Sequence, residues 1–116
     1  MEASMGVIFC DIDGTIFHKP GEEEITAIAS TKLLPGSLEQ LQKWNKEGHL
    51  IILTTARSSS LRDDTLKQLL HFGVPFNRVI MDLPVGVRIL VNDNKPGSKC
   101  NRAIAISLNR NEGIHI

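Results

Sequence analysis

Three short apolar runs, each closing in polar residues, restrict this chain more than any other feature. VIFC at residues 7–10 leads into Asp11 and Asp13, LIIL at 50–53 into Thr54 and Thr55, and VRILV at 87–91 into Asn92, Asp93 and Asn94. Short continuous apolar runs bounded by turn residues read as strands covered by protein. Burying a carboxylate is costly unless it is paired or bound to a metal, so aspartates at the end of such a strand need a chemical reason.

The segments between the strands carry helical patterns. A helix is predicted over residues 36–47, with Pro35 near its start, Ser37 and Gln40 as a capping box, Leu38, Leu41 and Trp44 on one face, and Gly48 as its stop. A second is capped by Ser60 and Asp63, turns Leu66, Leu69 and Leu70 inward, and ends at FGVP, residues 72–75. A brief strand follows at 79–81, and residues 103–108 read as a last strand, or as a short helix and strand. Residues 18–34 are irregular, with acids at Glu22, Glu23 and Glu24; they read as a small flap, and 25–29 as a hairpin arm in it.

Strands alternating with helices predict an α/β fold: a three-layer Rossmann-like parallel sheet with flanking helices, one domain over residues 1–116. Ligands in such sheets lie beyond the carboxyl ends of the strands. The three polar strand ends are therefore expected to converge on one crevice.

Bulk charge narrows the partners. Thirteen basic residues balance thirteen acidic ones, which argues against a general attraction to nucleic acid or to an anionic membrane. Cys10 and Cys100 are far apart and lack metal-ligand spacing, so they read as reduced thiols in a cytoplasmic protein.

The strand ends carry the chemistry of phosphoryl groups. Carboxylates are hard oxygen ligands suited to Mg²⁺, and an aspartate can attack phosphorus to form an aspartyl-phosphate. In extended DID, Asp11 and Asp13 face one way while Ile12 stays in the core. Thr55 can donate its hydroxyl to a phosphoryl oxygen, the Ala56 amide can add a second donor, and Arg57 can orient the substrate. Asp93 is the candidate to complete the metal site, and Lys95 lies close to it in sequence.

With these residues in view, the chain resembles the haloacid dehalogenase-like hydrolases, in particular compact members without a large cap domain. Their first motif, DxDGT, is matched by Asp11, Ile12, Asp13, Gly14 and Thr15. The resemblance implies a Mg²⁺-dependent phosphatase in which Asp11 is nucleophile and metal ligand. Asp13 would be the general acid and base, its main-chain carbonyl reaching the metal. The second motif falls on Thr55 and the fourth, acidic one on Asp93. A small phosphomonoester, such as a sugar phosphate, is the implied substrate.

The third motif departs from the pattern. Compact relatives often carry a GKP-like segment, whereas this chain has Asp82, Leu83 and Pro84, placing Leu83 where the lysine is expected. Lys95, Arg57 and Arg88 are the candidates to replace that cation. Loss of a fixed positive charge also opens an alternative, an inactive or regulatory module that binds phosphate ligands with Mg²⁺. Without a cap, either the flap at 18–34 or a second subunit is expected to close the site over the substrate.

Overall fold

The computed structural model describes residues 5–21, 28 and 32–116. Strand β1 (Val7–Asp11), helix α1 (Ser37–Lys46), strand β2 (Leu50–Thr54), helix α2 (Arg62–His71) and strand β3 (Arg78–Ile80) follow in chain order. A short 3₁₀ turn, Ser59–Leu61, precedes α2. The strands form a parallel sheet in the order β1-β2-β3, so each crossover carries a helix, as the alternating pattern predicts. The arm expected at 25–29 lies, but for residue 28, outside the described residues.

The two-residue period of the strands sorts their side chains. Cys10 pairs in register with Leu53, and Leu53 with Val79; these three and Ile51 are buried on one face. Val7, Phe9, Leu50 and Ile80 belong to the other face and are exposed. Leu41 of α1 and Leu69 of α2 join the buried face in one core with Ile12, Ile16, Phe17 and Ile114. No helix among the described residues is long and apolar enough to cross a membrane.

Both helices lie where expected, but neither is capped as expected. The cap of α1 is Gly36, in the left-handed conformation with φ 78°, with no side-chain cap. Ser37 is already helical, and its hydroxyl donates instead to the Thr15 carbonyl at 2.6 Å, tying α1 to the loop after β1. Leu61 occupies the cap of α2, also without a side-chain bond, while Ser58 caps the 3₁₀ turn before it. The inward face of α2 differs too. Leu70 is 74% exposed, and Thr65 and Gln68 are buried beside Leu69.

The expected strand at 87–91 does not form. Val87, Ile89, Leu90 and Val91 are all exposed, and the run makes no ladder with the sheet. A strand exists only through hydrogen bonds to a neighbour, and at the entry to this run carbonyls are taken up locally instead. The Arg88 side chain curls back so that Nη1 donates to the Pro84 carbonyl at 3.0 Å and to the Gly86 carbonyl at 3.3 Å. Residues 103–108 likewise form neither strand nor helix.

The tail nevertheless reaches the core. Gly113, at φ 88°, lies so close to Pro35 that a Cβ there would overlap the Pro35 carbonyl, and this approach brings Ile114 into the core. Gly73 has a similar φ of 70° but open space around it. Left-handed strain alone costs about 1–2 kcal/mol in a residue with a Cβ. In urea unfolding, Gly73→Ala should lose about that much, and Gly113→Ala clearly more, by the added overlap. Equal losses would mean that the tail simply shifts away from Pro35.

Candidate active site

The end of β1 is bent into a compact turn. The Ile12 carbonyl accepts from the amides of Thr15, Ile16 and Phe17, and the Gly14 amide donates to the Phe17 carbonyl at 2.7 Å. Gly14 sits at φ 89°, a conformation that favours glycine, and the missing Cβ admits the Arg110 stem (a Cβ there would lie 3.1 Å from Cγ). Ile12 is fully buried, whereas Asp11 and Asp13 both line an open crevice. The alternation read from DID is therefore present.

The end of β2 meets them. Asp11 pairs in register with Thr54, which brings Thr55 and Ala56 to the same crevice. Thr55 is fixed at both ends: its amide donates to the Ile80 carbonyl at 2.9 Å, and its Oγ1 accepts from the Arg57 amide at 3.0 Å. A hydroxyl that accepts from the backbone still has its own proton to donate.

Arg57 corrects an expectation. Although it borders the crevice, its guanidinium is buried and directed at protein, donating to both carboxylate oxygens of Asp13 and to side chains of α2. It is not an open substrate-binding group. Asp93 and Lys95 do not line the crevice. Asp93 is exposed, with Oδ1 3.5 Å from Nη1 of Arg102. The physical reason is the missing strand: with 87–91 outside the sheet, nothing aligns residue 93 with the end of β1.

Leu83 lies beside the site through its backbone, its amide donating to the Thr55 carbonyl at 3.2 Å. Its apolar side chain is not among the crevice lining. Positive charge comes from elsewhere: Lys19, Arg88 and Arg110 line the crevice. Lys19 and Arg110 carried no sequence signal, because one follows the turn in an irregular stretch and the other sits near the tail. Asn111 fastens the two segments, its side chain accepting from the Lys19 amide at 2.8 Å and donating to the Lys19 carbonyl at 2.9 Å.

Asp11 has exposed surface in the crevice, yet surrounding protein restricts its hydration. This desolvation raises its pKa above the ordinary carboxylate value; the Ile12 amide opposes the rise, the charge of Asp13 adds to it, and Arg88 and Lys19 oppose it again. Burial and the neighbouring Asp11 push the Cys10 thiol up to about 12, so Cys10 serves as core rather than as a nucleophile.

Among the described residues, no three acids, cysteines or histidines gather into a complete metal-ligand set. Mg²⁺ asks for less, since one or two carboxylates with waters and phosphate oxygens suffice. Asp11 fits that role. Its carboxylate is exposed to the crevice and its pKa is raised chiefly by desolvation, so a cation there would favour the charged form, while the guanidinium of Arg57 is directed at Asp13.

A model of the haloacid dehalogenase-like hydrolase family matches residues 8–114. The chain belongs to that family. Its fold is also that of a solved chain from the Pnkp1/Rnl/Hen1 complex, with a TM-score of 0.61 at 21% identity over 76% of this chain. This protein spans 32% of that longer chain. No curated protein matches significantly. Membership in this hydrolase family gives the DxDGT turn and Thr55 a common context at one crevice.

The raised pKa of Asp11 has a measurable consequence. Where a carboxyl titrates higher folded than unfolded, folding stability falls as pH rises from the unfolded pKa through the folded one. Asp11→Asn removes that loss. In chelator at neutral pH the variant should melt above the wild type, and the gap should close below the ordinary carboxylate range. A variant that melts lower at neutral pH would contradict the restricted hydration of Asp11.

Proposed function

We propose that this protein is a Mg²⁺-dependent phosphomonoester hydrolase that works through an aspartyl-phosphate on Asp11. The observation that carries the reading is the meeting of Asp11, Asp13 and Thr55 in one crevice at the ends of adjacent parallel strands. The family supports hydrolysis; the residues at the crevice support phosphate as the group transferred.

In the proposed cycle, an Asp11 carboxylate oxygen attacks phosphorus in line with the ester oxygen. The P–O bond to the leaving group breaks as Asp13 gives that oxygen a proton. Thr55 Oγ1 and the Ala56 amide donate to the phosphoryl oxygens. Asp13, now a base, takes a proton from water, which attacks phosphorus and releases phosphate from Asp11. A Mg²⁺ held by the Asp11 carboxylate and, as the family resemblance implies, by the Asp13 main-chain carbonyl would neutralise charge on the phosphoryl group. Lys19, Arg88 and Arg110 are the cations on the crevice wall, in place of the lysine that Leu83 replaces.

A small phosphorylated metabolite, with a sugar phosphate as the first candidate, is the substrate class of this reading; the crevice is open among the described residues, so such a substrate needs closure from elsewhere. Closure by the flap segment or a second copy, a single catalytic core over the chain, and a cytoplasmic setting belong to the same proposal.

Leu83 beside Thr55 favours a second reading, a module that binds phosphate ligands with Mg²⁺ but does not turn them over. A panel of aryl and sugar phosphates assayed with Mg²⁺ separates the two. Hydrolysis that Asp11→Asn reduces by about three orders of magnitude or more is expected for a lost nucleophile. Saturable binding of the same esters by a folded wild type, without release of phosphate, would decide for the binding module.

A further inference from the structure

We propose that Arg57 is the positioning residue for Asp13, holding its carboxylate at the angle from which it serves the leaving group, with α2 as the rigid support. The proposal rests on the phosphatase reading above and adds to it a residue that touches neither substrate nor metal.

The geometry is that of a two-sided clamp. Nε of Arg57 donates to Oδ2 of Asp13 at 2.8 Å and Nη2 to Oδ1 at 2.7 Å, the forked arrangement that fixes the carboxylate plane as well as its place. On the other side, Nη1 donates to Thr65 Oγ1 at 3.1 Å and to Gln68 Oε1 at 2.9 Å. Thr65 and Gln68 are three residues apart on α2, hence neighbours on one face of the helix. Arg57 is only 1% exposed, so its fork has little room to swing, and the Asp13 side chain keeps 10% exposure toward the crevice.

The orientation of Asp13 is therefore set from behind, by a helix that forms none of the crevice wall. A group that must first give a proton to one oxygen and then take one from another gains rate from being held in reach of both. The bland alternative is a buried ion pair that merely fastens the β1 turn to α2. It would matter for folding and leave the chemistry of folded molecules unchanged.

The two are told apart with a pair of esters, because Asp13 is needed as an acid for an alkoxide leaving group and hardly for a nitrophenolate. The ratio kcat/KM covers the steps through departure of the leaving group, so the later hydrolysis shared by both esters does not enter it. Arg57→Lys keeps the charge but cannot form the fork. Its kcat/KM should fall about 100-fold for an alkyl phosphate and no more than about 3-fold for p-nitrophenyl phosphate. Gln68→Met, which removes one acceptor on α2 and preserves the bulk, should show the same bias to a smaller degree, and it serves if Arg57→Lys fails to fold. Equal losses on both esters, or none, in a folded variant would overturn the positioning role. A wild type that hydrolyses neither ester would instead overturn the phosphatase reading, and this role with it.

Discussion

A guanidinium sealed from water beside a carboxylate is the constraint on which the site depends. Arg57 belongs to the loop after β2, Asp13 to the turn after β1, and Thr65 and Gln68 to α2. A buried charge is tolerated only where its partners are in place, and stripping one partner from such a pair typically costs about 3–5 kcal/mol. The three segments are thus held in mutual register by one side chain. The Ser37 hydroxyl does the same on a smaller scale, binding α1 to the Thr15 carbonyl on the far side of the turn. The DxDGT turn is gripped from two directions, while Asp11 is left facing the crevice.

This explains why the inward face of α2 is not the apolar stripe that its spacing suggests. A helix packed over a buried arginine must offer it acceptors, and Thr65 and Gln68 provide them. Leu70 lies about 100° further round the helix from Leu69 and is turned into solvent. Periodicity reports which positions repeat on a face, but a polar residue placed there for a buried partner lowers the signal and misleads the reading. The strands and both helices were legible because their apolar repeats are local. The DxDGT pair was legible because Ile12, kept inside by alternation, orients its neighbours. The partner of Arg57 was not, since nothing near residue 57 in the chain points to residue 13.

The run at 87–91 shows the opposite failure. By composition it is as strand-like as β2, but β2 lies between two partners whereas this run has none among the described residues. Propensity for extended structure is mostly fitness for a pleated, half-buried surface, and it has little force where no surface is offered. Asp93 follows the run that precedes it, and so it lies outside the crevice, paired at the surface with Arg102. One missing pairing accounts for both departures.

Electrostatics at the crevice then becomes a local matter. The chain as a whole carries no net charge, so no long-range field draws a phosphate in. What counts is the balance at Asp11. Restricted hydration and the charge of Asp13 favour its protonated form, while the Ile12 amide and the charges of Arg88 and Lys19 favour the ionised form. Any cation bound at Asp11 would act in the same direction as Arg88 and Lys19. Cation binding at Asp11 and ionisation of its carboxyl would therefore be thermodynamically linked, each favouring the other.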